Sequence, residues 1–279
     1  MPELPEVETV CKGLRALLVG NTFKHVKKFR PNLRIPFPEN FEALLEGRGI
    51  ERIERRAKYI QIFLDSKQVL LIHLGMSGRL IIHNEQQLTQ EALHTHDHVI
   101  FHLSSGDSVR YRDPRRFGLM DLCHEDVLTS HRLFCHLGPE PLSVGFNSER
   151  LASALKSKKV SIKVALLDQR LVVGIGNIYV SEALFRASIC PLRYAGSLSQ
   201  LEVVTLLPIL KEVLEEAIAA GGSTLRDHIQ PNGELGYFQH NLRVYGRENK
   251  ACLNCGDEYL IKRIVQAGRS TFYCLNCQV

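Results

Sequence analysis

Four cysteines near the carboxyl end, Cys252, Cys255, Cys274 and Cys277, follow the spacing C-x2-C-x18-C-x2-C. Each C-x2-C pair forms a knuckle that aims two thiolates at one point, and two knuckles supply the four tetrahedral corners that Zn2+ prefers. Gly256 follows the first pair, where the turn calls for positive φ. With every corner filled by protein, such a metal is structural and leaves no position for water or substrate. The competing reading is a pair of disulfides in an exported protein. The opening residues Met-Pro-Glu-Leu-Pro-Glu-Val-Glu-Thr-Val are acidic and proline-bearing, whereas a signal peptide is basic and then apolar, so zinc is the stronger reading.

The other end of the chain offers a nucleophile. Removal of the initiator methionine would leave Pro2 as a secondary amine, with a reference pKa of about 7.7–8.0 against about 10.4 for lysine. Such an amine attacks an electrophilic carbon without a strong base, and Glu3 and Glu6 beside it are candidate proton donor and acceptor. The bland alternative is that proline and acids suit the first turn of any helix.

Two glycine-bearing turns end strand-like segments. His73-Leu-Gly-Met-Ser-Gly-Arg79 would lift Met76 out of a sheet, and Asp113-Pro-Arg-Arg-Phe-Gly118 presents two arginines and an aromatic. Methionine and phenylalanine on tight turns can wedge between bases, and arginines can grip phosphate or a base edge; the alternative is core packing and a salt-bridged loop. Lys156, Lys158, Lys159 and Lys163 cluster, and of these Lys163 is read as a phosphate contact. His94, His96 and His98 alternate without a carboxylate or cysteine to complete a metal site and are read as surface histidines. Cys11, Cys123, Cys135 and Cys190 are read as buried free thiols.

These residues need elements to hold them. Val7, Val10, Cys11, Leu14, Leu17 and Leu18 share one helical face and Gly20 follows, so an amphipathic helix starting near Pro5 presents residues 2–4 at its amino end, where N–H groups and the dipole favour anions. From Thr22 to about Cys123 the pattern is strand-like, with strands at 59–64, 69–73, 79–83, 98–103 and 108–112, which indicates a β-sandwich or barrel. A proline- and glycine-rich break at 137–145 leads into helical periodicity at 148–156, 161–168, 177–187 and 199–220, with Asn177 placed to cap the third helix. The expected class is α+β: a β-sandwich or barrel-like domain at 1–134, a helical domain at 135–237 and a zinc module at 238–279.

Composition narrows the partners. The 279 residues carry a net charge of +5, which by itself is uninformative. Residues 240–279 hold six basic and three acidic side chains, however, and a basic zinc module suits phosphate. No apolar run approaches the ~18 residues of a membrane span, so a cytoplasmic protein is expected.

In one order along the chain stand Pro2-Glu-Leu-Pro-Glu-Val-Glu-Thr9, Arg56-Ala-Lys-Tyr59, His73-Leu-Gly-Met-Ser-Gly78, Asp113-Pro-Arg-Arg-Phe-Gly118 and Leu137-Gly-Pro-Glu-Pro-Leu142. They continue with Val173-Gly-Ile-Gly-Asn-Ile-Tyr179, Gly221-Gly-Ser-Thr-Leu-Arg-Asp227, Gly236-Tyr-Phe-Gln239, Val244-Tyr-Gly-Arg247 and the four cysteines. The chain resembles the bacterial formamidopyrimidine-DNA glycosylases from Pro2 to Gln278. The resemblance implies an N-terminal β-sandwich with a leading α-helix, a helix-two-turn-helix domain and a C-terminal four-cysteine zinc finger with one structural Zn2+. It implies a monomeric base-excision repair enzyme that removes 8-oxoguanine and formamidopyrimidines from double-stranded DNA. It further implies cleavage of the abasic site by β,δ-elimination through a Schiff base. The family's nucleophile falls on Pro2 and its acid on Glu3, with Lys58 and Arg269 also at the reacting centre and Glu6 in support. DNA contacts fall on His73, Met76, Arg115, Arg116, Phe117, Lys163 and Asn177, where Met76, Arg115 and Phe117 fill the hole left by the flipped nucleotide. The lesion-reading loop carries Ser223, Thr224, Arg226 and Tyr237. One departure is visible: the interval between the cysteine pairs is two residues longer than the family's, and the extra length is expected at a hairpin tip. Two alternatives are an endonuclease VIII-type glycosylase for oxidised pyrimidines and a non-enzymatic zinc-dependent DNA-binding protein.

Overall fold

The computed structural model describes residues 2–84, 92–223 and 236–279. It divides the chain into two compact units, Met1–Cys135 with Ala220–Tyr237, and His136–Ala219 with Phe238–Val279. The sequence reading expects three segments, with 220–237 assigned to the helical part and the zinc finger standing alone.

In the first unit, helix α1 (Leu4–Leu18) leads into β1 (Phe23–Lys28), a short helix α2 (Phe41–Leu45), β2 (Ile50–Arg56), β3 (Tyr59–Leu64), β4 (Gln68–His73), β5 (Arg79–His83), β6 (Asp97–Leu103), β7 (Ser108–Arg112) and β8 (Leu119–His124). Two antiparallel four-stranded sheets result, ordered β1-β6-β7-β5 and β2-β3-β4-β8. One continuous core joins them: Val26, Phe101 and Tyr111 from the first sheet, Ile53, Ile62 and Ile72 from the second, and Val7, Val10 and Leu14 from α1. The α1 face anticipated from 3.6-residue periodicity is the buried one.

The connectivity places two crossovers at one end of this sandwich. The segment after β4 crosses to β5, and the segment after β7 crosses to β8. His73 pairs with Leu119 in one sheet and Arg79 with Arg112 in the other, so 74–78 and 113–118 run side by side. They lie in backbone contact: a Cβ at Gly75, where φ is +62°, would sit 2.3 Å from the Phe117 carbonyl carbon. Only glycine permits that approach.

The second unit contains α3 (Ser148–Leu155), α4 (Ile162–Leu167), α5 (Asn177–Arg186) and α6 (Gln200–Ala219), the last running through Pro208. They are followed by β9 (Ala251–Cys252), β10 (Gly256–Leu260), β11 (Lys262–Gln266) and β12 (Arg269–Tyr273). Phe185 of α5 packs with Val244, Cys252, Ile261, Phe272 and Cys274, so the finger shares a core with the helices. Too little apolar surface lies within a finger of this size for it to form a separate core. The buried carboxylate of Glu182 on α5 strengthens this union by accepting N–H bonds from Arg243, Val244 and Tyr245 at 2.9, 3.0 and 2.8 Å.

The β11–β12 tip is a two-residue turn, Ala267-Gly268, with φ of +47° and +72°, closed by the Gln266–Arg269 pair. Positive φ at both positions is the signature of a tight hairpin turn, so the tip holds no surplus residues. The register of the β9–β10 pair breaks between Gly256 and Leu260.

Candidate functional site

Pro2 is buried immediately ahead of α1, and Glu3 is the helix N-cap, 4 % exposed. A reciprocal capping box holds it: the Glu3 carboxylate accepts from the Glu6 N–H, and Glu6 Oε2 accepts from the Glu3 N–H at 2.8 Å. Glu6 does more than cap. Its Oε1 accepts the Ser223 N–H at 2.8 Å, so one buried carboxylate ties the amino terminus to the stem of the 223–237 segment. That stem is tight: Ser223 bridges Tyr237, the Tyr237 N–H donates to the Ala220 carbonyl at 3.0 Å, and a Cβ at Gly236 would lie 2.3 Å from the Gly222 carbonyl oxygen. Ser223 is buried and Tyr237 65 % exposed. Thr224 and Arg226 lie outside the described residues.

Lys58 occupies the two-residue β2–β3 turn, between Ala57 at φ +53° and the paired Tyr59. It is 7 % exposed, unusual for a lysine at a hairpin tip. The turn is stapled to α1. Arg55 donates to the Ala57 carbonyl at 3.1 Å and pairs with Glu8 at 2.9 Å, while Glu8 also pairs with Arg15. Burial works against the Glu8 charge, yet the hydrogen bond from Arg15 and the nearby Arg55 outweigh it and lower its pKa.

His73, at the end of β4, packs against Tyr59 with ring centroids 4.8 Å apart, and its Nδ1 accepts the Gly75 N–H at 3.0 Å. Burial, then the positive charges of Lys58 and Arg34, push its pKa down to about 4. The imidazole is therefore neutral near pH 7, and with Nδ1 accepting, Nε2 carries the proton and can donate. Beyond it stand the residues of the two crossovers. Met76 is half-buried, whereas Arg115, Arg116 and Phe117 are exposed, and the Arg115 guanidinium lies 4.7 Å over the Phe117 ring. Arg116 takes φ +58°.

In the second unit the four Cys Sγ atoms lie within 4.8 Å of one another, with Cys252–Cys277 and Cys255–Cys274 both at 3.8 Å. A tetrahedron with Zn–S bonds of about 2.3 Å has edges of about 3.8 Å, so the donor set and spacing fit zinc. A disulfide needs about 2.05 Å, which removes that alternative. Arg269 is exposed at the start of β12.

Two expectations change here. Asn177 does not cap α5; Gly176 does, because the Asn177 side-chain amide turns away to donate to the Ser270 carbonyl at 2.9 Å. Lys163 is no surface side chain: it is fully buried, and its ammonium donates to the Ser270 carbonyl at 2.9 Å and to Thr271 Oγ1 at 2.6 Å. Both residues fasten the strand that begins with Arg269. His98, expected at the surface, is buried with Nε2 at 2.8 Å from the Asp113 carbonyl, and Cys135, expected buried, is exposed. Sequence reasoning missed Glu182, Ser270 and Thr271, which carry no motif of their own.

Three family profiles match the chain: the formamidopyrimidine-DNA glycosylase N-terminal domain over residues 1–120, the H2TH domain of the same enzymes over 137–228, and a zinc finger found in FPG and IleRS over 249–279. The formamidopyrimidine-DNA glycosylase of Roseobacter denitrificans is 51 % identical over 282 residues, covering all of both chains. The chain belongs to the formamidopyrimidine-DNA glycosylase family. Its counterpart from Dinoroseobacter shibae is 49 % identical over the full length of both. Among solved structures, the Thermus thermophilus MutM (FPG) protein is 40 % identical with a TM-score of 0.88, covering 99 % of this chain and 98 % of that one. A Lactococcus lactis Fpg in complex with an abasic site containing DNA is 32 % identical with a TM-score of 0.89, covering 99 % of each. A glycosylase of this family thus carries its amine-bearing terminus in one unit and its four-cysteine finger in the other.

Proposed function

We propose that this glycosylase removes oxidised purines, 8-oxoguanine and formamidopyrimidines, from duplex DNA and then cuts the strand at the abasic site. The observation that carries this reading is the buried Pro2-Glu3 pair at a helix amino end, bridged by Glu6 to the stem of the 223–237 segment. A DNA-binding protein without catalysis gives that arrangement no role. Solved structures of Lactococcus lactis Fpg are complexes with Fapy-dG containing DNA and with abasic site containing DNA, which supports lesion and product as the ligands of this chain as well.

The chemistry is the one the family resemblance implies, and the residues here suit it. With Met1 removed, the Pro2 nitrogen attacks C1′ of an extruded nucleotide, the glycosidic bond breaks, and its electron pair leaves with the base. Glu3 is positioned to give a proton to the opening sugar oxygen, and loss of the ring C–O bond yields an iminium between Pro2 and C1′. Proton removal from C2′ then eliminates the 3′-phosphate, a second elimination releases the 5′-phosphate, and hydrolysis of the imine frees Pro2. Lys58 supplies a cation beside the lesion and His73 a neutral Nε2–H donor toward phosphate. Met76, Arg115 and Phe117 fill the vacated stack, offsetting an unstacking cost of a few kcal/mol. Arg116, Asn177 and Arg269 contact phosphates, and Ser223, Thr224, Arg226 and Tyr237 belong to the segment that reads the base. One zinc ion held by Cys252, Cys255, Cys274 and Cys277 keeps the Arg269 hairpin folded; it supplies cross-linking and no reaction chemistry. We read the enzyme as a monomer acting in the cytoplasm.

Borohydride trapping on an 8-oxoguanine duplex tests this. A covalent adduct should form with the processed protein and disappear when an amino-terminal extension caps Pro2. Duplex binding without an adduct would refute the lyase, and faster processing of an oxidised-pyrimidine duplex would refute the purine preference.

A further inference from the structure

The wedge residues are exposed side chains on two turns, so something beneath them must hold their positions. Asp113 lies there, fully buried at the start of the second crossover. Its Oδ1 accepts the Ser77 hydroxyl at 2.6 Å. Its Oδ2 accepts the Gly118 N–H at 2.9 Å and the Tyr111 hydroxyl at 3.2 Å. Ser77 Oγ, having given its proton to Asp113, accepts the Arg115 N–H at 3.2 Å. Each wedge residue is thus within one link of this carboxylate: Met76 precedes Ser77, Arg115 donates to Ser77, and Phe117 precedes Gly118.

The surroundings admit no slack. A Cβ at Gly118 would lie 1.8 Å from the Tyr111 hydroxyl oxygen and 3.1 Å from Asp113 Oδ2. Asp113 is itself fixed, its N–H donating to the His96 carbonyl at 3.1 Å and its carbonyl facing His98 Nε2 at 2.8 Å. Burial and the Asp113 charge raise the Tyr111 pKa, so its hydroxyl remains a neutral donor to the carboxylate.

We infer that Asp113 is the positioning residue of the wedge: its carboxylate locks the two sheet crossovers together so that Met76, Arg115 and Phe117 enter the duplex as one rigid body. The inference deepens the proposed function and rests on it. A wedge matters where a stacked base must be forced out, and matters much less where the base is already gone, because extrusion then breaks no base pair and little stacking. Loss of the clamp should therefore slow excision selectively and spare the reaction of Pro2 with a preformed abasic site.

The experiment compares wild type, Ser77→Ala and Asp113→Asn in single turnover on two duplexes, one holding 8-oxoguanine and one a preformed abasic site, with borohydride trapping as readout. A 2-aminopurine beside the lesion reports unstacking, and a melting curve confirms folding. Both variants should lose at least about tenfold in adduct formation on the 8-oxoguanine duplex, a loss on the scale of one buried charge-assisted hydrogen bond, with a matching delay in the 2-aminopurine rise. On the abasic duplex they should remain within about threefold of wild type. Equal losses on both duplexes, or no loss on either, would overturn the clamp. If Asp113→Asn fails to fold, Ser77→Ala, which deletes a single hydroxyl, decides the matter by the same comparison. Wild type that forms no adduct on either duplex sinks the lyase reading itself, a result distinct from variants that match an active wild type.

Discussion

Lys163 allows the sharpest test of how the second unit grips DNA. Its ammonium is fully buried and makes two hydrogen bonds, to the Ser270 carbonyl and to Thr271 Oγ1, in the strand that Arg269 begins. Hydrogen bonds to a charged group contribute roughly 1.5–3 kcal/mol each. Lys163→Met keeps most of the volume and removes the cost of burying an ammonium, which offsets part of that loss. The Ser270 carbonyl also keeps its bond from Asn177, so it is not orphaned. The net destabilisation should be about 1–3 kcal/mol, a fall of roughly 2–5 °C in the melting midpoint of a chain this size. DNA binding discriminates the mechanism. If Lys163 acts by placing Arg269, then Lys163→Met and Arg269→Ala each lower the salt slope of duplex binding by at most about 0.9, and the double variant binds as Arg269→Ala does. Additive losses, with the slope falling by about 1.8 in the double variant, would refute the anchoring argument and restore Lys163 as a direct phosphate contact.

Two other perturbations have defined outcomes. Because the pKa of His73 is near 4 when folded and about 6.5 when unfolded, the unfolded chain takes up a proton that the folded protein refuses as pH falls through this window. His73 should thus cost the protein up to about 3 kcal/mol of stability between pH 6.5 and 4 and nothing further below, and denaturant melts of His73→Gln should lack that portion of the acid loss; an unchanged pH profile would count against the burial argument. Stripping the metal with a chelator, or replacing Cys274 by Ser, should abolish duplex binding, since a zinc ion on these four thiolates would cross-link the Arg269 hairpin. Reductive amination of Pro2 by a small aldehyde should be unaffected, and loss of that reaction together with binding would show that the finger is needed for the nucleophile.

Much of the chemistry is legible before any folding because it is local. A C-x2-C pair specifies its own knuckle, and the apolar periodicity of α1 alone specifies which side is buried, leaving Glu3 and Glu6 at the capped end. Strands 59–64, 79–83 and 108–112 and helix 148–155 follow from patterns within a few residues. The strands at 23–28 and 50–56 are not individually legible, since their charged, partly exposed residues blur the two-residue period.

What the sequence by itself determined was the inventory: an amine at one end, a four-thiolate site at the other, and glycine turns presenting Met76, Arg115 and Phe117. Tertiary structure decided which side chains face outward and which are used inside. Lys163 reads as a phosphate contact from its basic cluster, and Asn177 reads as a helix cap from its place ahead of an apolar run. They are bonded to Ser270, 107 and 93 residues away, for reasons no local pattern records. Glu6 reads as a proton donor or acceptor beside Pro2, and only folding brings Ser223 from 217 residues away to one of its oxygens. Asp113 reads as the first residue of a turn, yet the pairing of two sheets makes it the acceptor on which both crossovers converge. Propensity and spacing act over a turn or two of chain, whereas the partner of a buried charge is chosen by whatever the fold brings within about 3 Å of it.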